Sequence, residues 1–412
     1  MGARIVFVGD DFTGASDSLA TYTRGGLRTR MLMSPEAGTT GLDVLGLPTD
    51  LRSLPPERAR AEVARLWPRI AAEAPGVLHL KVCSTFDSAP HIGSIGAVAQ
   101  ALAERFAPDI VAVIGGQPSL GRYCVFGNLF ARGPDGAVHR IDRHPVMSRH
   151  PVTPMGEADL ALHLGRQGLE GLSKLGHAEL ADTAGCVARF RAGPVLCDAV
   201  LDTDLAQIGA ALRAAGGRQL LIGASSVAEI LGGDASSTPP VPAPPPQSSG
   251  LLLFAGSRSA VTQAQVGRAR AYRKLPLTPE ALASAEPVET AARLLKDGIP
   301  VLAHLLPERD YGLSPDALAD RSCAFIAAVL ARAEIGYLGL AGGDTSSRIC
   351  SGLGFDTLDY ESTIGAGVSV CRAGHPDPRR DRMRILLKGG QMGAEDLFDR
   401  FAERAGAGIV AS

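Results

Sequence analysis

The sequence predicts an α/β protein of two domains, each a largely parallel sheet flanked by helices. Three observations carry this expectation. Short apolar runs alternate with helix-period segments along the chain, the order of a parallel sheet with crossover helices. A proline- and serine-rich stretch, DASSTPPVPAPPPQSSG at 234–250, interrupts the alternation and reads as a semi-rigid linker. A chain of 412 residues, 45% of them hydrophobic, is longer than one core usually serves. The expected domains are therefore 1–233 and 251–412, with 234–250 between them.

The first apolar run, at 4–8, stops at Asp10 and Asp11, and Thr13 is then placed to cap a helix carrying Ala15, Leu19 and Ala20. Further strands are expected at 28–33, 43–47, 77–83, 110–114, 194–199 and 219–223. Helix-like segments fall at 57–73, 93–106, 157–168 and 203–214. The region 115–156 reads as long and irregular, the kind of loop that often serves as a lid. After the linker, strands are expected at 251–256, 299–304, 337–343 and 382–390, with helices at 259–270 and 315–333 and at the end of the chain.

Composition narrows the partners. A formal net charge of −2 with both signs interspersed provides no basic field for nucleic acid or an anionic membrane. No run approaches the roughly 20 apolar residues of a spanning helix, and the N-terminus lacks the pattern of a secretory signal, so a cytoplasmic protein is expected. The 7 cysteines show no CxxC spacing and read as reduced packing residues.

Reactive groups in open α/β sheets lie just past the carboxyl ends of strands, which is where Asp10 and Asp11 fall. Capping and turn formation alone would also explain an Asp-Asp pair there. The run HLKVCSTFDS places Lys81, Ser84, Thr85 and Asp87 in the same way, with a cation and hydroxyls for a polar substrate or a surface lysine beside a helix cap. Arg52, in GLPTDLRSL, offers a planar fork for a carboxylate, although a lone arginine is more often a solvated surface charge. The stretch 115–156 is locally basic, with Arg122, Arg140, Arg143 and Arg149 beside His139, His144 and His150. Its spacings lack a helical pair such as HExxH and favour anion contacts and loop packing over metal ligation.

Beyond the linker, three strands end in glycine followed by polar residues: AGSRS with Ser257 and Ser259, AGGDTSS with Gly342, Gly343, Asp344 and Thr345, and KGGQMG with Gly390, Gln391, Met392 and Gly393. Glycine lets a ligand approach the backbone, and hydroxyls and helix N-termini supply donors, so a nucleotide phosphate site is expected. Tight βα turns would also use such glycines. There is no GxxxxGK[ST] and no strand-borne GxGxxG, which disfavours a P-loop and a nicotinamide dehydrogenase.

Taken in order, GDDFTGASD, TDLRS, KVCSTFDS, GRYCVFGN, RHPVTPM, AGSRS, AGGDTS and KGGQMG resemble the four-carbon acid sugar kinases nearly end to end. The resemblance implies a sugar-acid-binding N-terminal domain, an ATP-binding C-terminal domain, an active site in the cleft between them, Mg2+ with unspecified ligands, and a homodimer. It makes Asp10, Arg52, Lys81, Ser84 and Thr85 sugar-acid contacts, to which Thr13, Arg122 and Arg149 are added as candidates from their positions. Ser257, Ser259, Gly342 to Thr345 and Gly390 to Gly393 become nucleotide contacts. Asp10 or Asp11 would be the base or the orienting group for the attacking hydroxyl, and Lys81 and Arg52 would hold the substrate carboxylate. The chain departs from the family in having Asp344 for glutamate, Gln391-Met392 for asparagine-phenylalanine, and a segment 363–378 without the usual acidic, proline-rich form. The competing readings are a kinase of another sugar acid such as 3-oxo-isoapionate, and a non-catalytic ligand-binding protein of the same fold.

Overall fold

The computed structural model describes residues 4–34, 37–232, 244–365 and 367–408. It divides into two compact units, Met1–Thr29 with Thr39–Thr238, and Arg30–Gly38 with Pro239–Ser412. Residues 234–243 of the expected linker lie outside the described residues. No described helix is long and apolar enough to cross a membrane.

The strands of the N-terminal half, in chain order, are β1 (Ile5–Gly9), β2 (Thr29–Leu32), β3 (Val44–Pro48), β4 (Val77–Lys81), β5 (Ile110–Ile114), β6 (Arg122–Val125), β7 (Asn128–Arg132), β8 (Val138–Arg140), β9 (Ser173–Leu175), β10 (Val195–Cys197) and β11 (Gln219–Gly223). The first unit's main sheet runs β3-β1-β4-β11-β5-β10-β9, with its neighbouring strands paired in parallel among the described residues. β1 and β11 are buried at every position, as expected for strands covered on both faces. The register sets Gly9 level with Pro48 on one side and Lys81 on the other, and Lys81 level with Gly223. One edge of the sheet therefore collects whatever follows β3, β1, β4 and β11.

Beneath that edge, His79 of β4 has no exposed surface. Its Nε2 lies 3.2 Å from Gly223 O, which can only accept, so Nε2 carries the hydrogen and Nδ1 accepts from Tyr22 OH at 3.0 Å. Burial pushes the His79 pKa from 6.5 down to about 3. Below pH 6.5 the unfolded chain binds a proton that the folded chain refuses, so this contribution is complete above 6.5 and is lost as pH falls toward 3. Urea titrations are expected to show the wild type losing about 2 kcal/mol more than His79→Gln between pH 6.5 and pH 5. Equal losses would refute a buried neutral imidazole.

The region 115–156 departs from the irregular expectation. It contains β6, β7 and β8, paired as a three-stranded antiparallel sheet. Few of its positions are buried, so the apolar signal of a strand is missing. Its tight turn places Phe126 at φ 50° and Gly127 at φ 78°, with both N–H groups donating to the buried Asp198 carboxylate at 2.6 and 2.8 Å. The helix expected at 157–168 spans only Leu160–Gly165, because the Asp159 side chain accepts from Ala161 N and Leu162 N and starts it there.

The second unit contains β12 (Leu251–Ala255), β13 (Arg273–Leu277), β14 (Val301–Leu305), β15 (Tyr337–Ala341), β16 (Thr357–Gly365), β17 (Val368–Gly374) and β18 (Arg384–Lys388). Strands β13-β14-β12-β15-β18 are parallel, and β17 and β16 extend the sheet antiparallel. The segment 363–378 is thus largely the end of β16 and the whole of β17 rather than a loop. Residues 30–38 belong to this unit, not to the first as chain order suggested: Met31 and Leu32 of β2 pair with Leu358 and Thr357 of β16. Ala255, Ala341 and Lys388 are level across β12, β15 and β18.

Candidate active site

In the first unit, Asp10 follows β1 directly and is buried. Its backbone is tied to both neighbours: Asp10 N donates to Lys81 O at 2.9 Å, and Arg52 N donates to Asp10 O at 3.0 Å. Arg52 Nε and Nη2 donate to Asp10 Oδ2 and Oδ1 at 3.1 and 3.0 Å, a two-bond fork, and Nη2 lies 3.2 Å from Asp11 Oδ1. Burial raises the Asp10 carboxyl pKa above its ordinary value, with Arg52 opposing and the Asp11 charge adding to the rise. Burial works against the Arg52 charge, but the Asp10 and Asp11 carboxylates outweigh it and hold its pKa well above the usual value.

Asp11, not Thr13, caps the helix Phe12–Arg24. Its Oδ1 accepts from Gly14 N at 2.8 Å, and its Oδ2 has no partner among the described residues. An extended φ of −143° lets Asp11 turn the chain into the helix, whereas Thr13 already lies in its first turn. Lys81 is 4% exposed, with Nζ donating to Val82 O at 2.7 Å. A Cβ on Gly14 would stand 2.7 Å from Lys81 Nζ, so the glycine makes room for the ammonium beside the helix start.

The loop after β4 turns at Phe86, a buried residue at φ 54°, a strained conformation for a bulky side chain. Ser84 is half-buried, and its hydroxyl has no partner among the described residues. The Thr85 hydroxyl is committed instead to Asp87 Oδ1 at 2.5 Å and lies 3.0 Å from Cys83 Sγ. Arg122 donates through Nη1 to Leu120 O, and Arg149 is exposed in the turn Met147–Arg149; the structure gives neither an ion pair with the Asp10 group. The histidines of the basic stretch serve the loop itself. His144 Nδ1 accepts from Val146 N and Met147 N, His150 Nδ1 accepts from Thr153 N, and His139 Nε2 lies 2.9 Å from Asp135 Oδ2.

In the second unit the three glycine-bearing strand ends converge. Gly256 N and Ser257 N donate to Ala341 O at 3.0 and 2.9 Å, and Gly342 N donates to Lys388 O at 2.9 Å. Gly342 takes φ 134°, open to glycine, and starts the helix Gly343–Gly352. Ser259 caps the helix Ala260–Arg268, and its hydroxyl reaches Gly390 O at 2.6 Å. A Cβ on Gly256 would meet Thr345 Cγ2 at 2.7 Å, and one on Gly390 would meet Ser257 Oγ at 2.7 Å. Gln265 Nε2 reaches the carbonyls of Met392, Gly393 and Ala394 at 3.1, 3.1 and 2.9 Å, and Met392 packs over Gly367. Gln391 is exposed on the outer side of this loop. The Asp344 side chain lies outside the description. Two helix N-termini beside a glycine loop form a donor set suited to phosphate.

A family model described as a sugar-binding N-terminal domain matches residues 5–231, and one described as a nucleotide-binding C-terminal domain matches 252–398. The chain is 34% identical to a 3-oxo-isoapionate kinase of Paraburkholderia graminis, over 99% of this chain and 96% of that protein. It is 33% identical to a 3-oxo-tetronate kinase of Methylobacterium radiotolerans, over 95% and 97%. The chain belongs to the four-carbon acid sugar kinase family. It is a kinase that transfers phosphate to a sugar-acid hydroxyl and uses a nucleotide. A Haemophilus influenzae protein of known crystal structure shares the fold, with a TM-score of 0.78 at 22% identity, covering 97% of this kinase and 99% of that chain.

Sequence reasoning singles out Gly14 and Asp87 beside their neighbours without giving them a role, and it misses two contributors to the second unit's site. Thr262 and Gln265 lie on one helix face, three and six residues past Ser259, and only the glycine loop they meet reveals their use.

Proposed function

We propose that this kinase phosphorylates a 3-oxo sugar acid, of the 3-oxo-tetronate type or the related 3-oxo-isoapionate, with ATP and Mg2+. The observation that carries the acid is the Asp10–Arg52–Asp11 group with Lys81 buried beside it, two cations and two carboxylates at one sheet edge. The relatives' names supply the 3-oxo acid. Lys81 and Arg52 hold the substrate carboxylate, and Ser84 offers a free hydroxyl to the sugar. Asp11, through its unpartnered Oδ2, accepts the proton of the attacking hydroxyl, while Asp10 positions Arg52. The glycine loops and helix starts around Ser257, Ser259, Gly342 to Thr345 and Gly390 to Gly393 hold the nucleotide phosphates.

Mg2+ would neutralise charge on the phosphates, and since the N–H groups of the cradle cannot ligate a cation it would be held chiefly by phosphate and water oxygens, with the Ser257 and Thr345 hydroxyls nearby. The proposal also carries a homodimer and a cytoplasmic location. ADP release from ATP and Mg2+ across tetronates, 3-oxo-tetronates and 3-oxo-isoapionate tests the substrate. A preference of kcat/KM for a 3-oxo acid over its hydroxy counterpart is expected. The 34% relative favours 3-oxo-isoapionate as the second reading, and equal turnover of oxo and hydroxy acids would overturn both.

A further inference from the structure

Lys388, the last residue of β18, is 1% exposed, and no carboxylate pairs with it among the described residues. Its Nζ donates to Thr262 Oγ1 at 2.8 Å and to Gly389 O and Gly390 O at 3.0 and 3.1 Å. Thr262 Oγ1 in turn donates to Gly390 O at 2.9 Å, beside the bond from Ser259. All three ammonium hydrogens are used, yet every partner is neutral. A buried cation left with neutral partners carries a large desolvation cost unless an anion completes the site.

The direction in which that anion would lie follows from peptide geometry. In a trans peptide the carbonyl and the following N–H point opposite ways. Holding Gly389 O and Gly390 O inward on Lys388 turns the N–H groups of Gly390 and Gln391 outward, and neither has a partner among the described residues. The lysine charge thus lies directly behind two free donors.

We propose that Lys388 is a positioning residue and the fixed counter-charge of the nucleotide phosphates: it orients the 389–391 peptides and attracts the anion that their N–H groups bind. This rests on the nucleotide-binding reading of the second unit. A proton linkage follows. Burial alone lowers the Lys388 pKa to about 8. Arg258 precedes and Arg268 ends the helix that carries Thr262, Arg348 lies on the helix Gly343–Gly352, Cys371 and Arg372 lie on β17, and Tyr337 lies on β15; none of these enters its electrostatic balance. Bound phosphate favours the charged ammonium, so binding above pH 8 draws in a proton.

Calorimetric titration of the full chain with ADP and Mg2+ at pH 8.5, in two buffers of different ionisation enthalpy, measures that proton. Wild type is expected to take up on the order of half a proton at pH 8.5 and much less at pH 6.5. Lys388→Met is expected to abolish the uptake and weaken ADP roughly 10- to 100-fold, without changing sugar-acid binding. ADP binding by wild type with no proton uptake at pH 8.5 overturns the proposal, as does unchanged uptake in a folded Lys388→Met. Absence of any ADP binding by wild type instead overturns the nucleotide reading, and this inference with it. Should the variant not fold, the wild-type uptake at the two pH values decides alone.

Discussion

Asp11→Asn is expected to lower kcat by roughly 10^2- to 10^4-fold, the range typical of a positioned general base, and to leave the fold almost untouched. Asn caps helices about as well as Asp, and its amide oxygen can keep the Gly14 N–H bond and face Arg52. What is lost is Oδ2, the carboxylate oxygen without a partner among the described residues. The thermal midpoint should therefore stay near that of wild type and KM for the acid should move little. Asp10→Asn should do the opposite. An amide offers one acceptor where the Arg52 fork uses two, so Arg52 loses its anchor, KM rises and stability falls. Steady-state kinetics with a melting curve for each variant separates them. A variant pair in which Asp10→Asn loses turnover at unchanged KM, while Asp11→Asn stays active, would exchange the two roles.

Arg52→Met is expected to cost the acid substrate roughly 10^2- to 10^3-fold in kcat/KM, the scale of a buried charge-paired hydrogen bond removed from one side. Its second effect is on pH dependence. Arg52 lowers the Asp10 pKa against burial and against the Asp11 charge. Without it the two carboxylates face each other with Lys81 as the remaining cation that acts on Asp10, and protonation becomes easier. Proton uptake by Asp10, in the same charged group as the base Asp11, then enters the profile, so the acid limb of kcat/KM should move to higher pH. Arg52→Lys restores a charge without the planar fork, and should recover the pH limb more fully than the affinity. A profile measured from pH 5 to pH 9 that keeps the wild-type limb in Arg52→Met would show that Arg52 binds substrate without setting the protonation of the pair.

Legibility in the sequence followed burial. The strands β1, β4, β5 and β11 are apolar runs because a parallel sheet covers both faces, and their ends could be read to within a residue or two. The antiparallel strands β6 to β8 and β16 to β17 carry mixed polar and apolar positions and present no continuous apolar run, so no strand is predicted there. β2 was legible as a strand but not as a member of the second unit, since pairing with β16, more than three hundred positions later, leaves no local mark. The helix start after β1 was found, and its cap was misassigned, because both Asp11 and Thr13 are good caps and only φ distinguishes them.

The sequence by itself determined the fold class, the break into two parts and the residue types that gather at strand ends, and its resemblance to the family supplied the order of sugar-binding and nucleotide-binding segments. The first three are local, written in hydrophobic period, proline content and glycine placement. Only the tertiary structure decided how each side chain is used. Register brought Asp10, Arg52 and Lys81 to one edge, a helix cap committed one oxygen of Asp11 while the Arg52 fork took both of Asp10, and packing buried Lys388 without a carboxylate partner among the described residues. Those depend on distances between segments far apart in the chain, and on the desolvation that packing imposes, neither of which a linear pattern encodes.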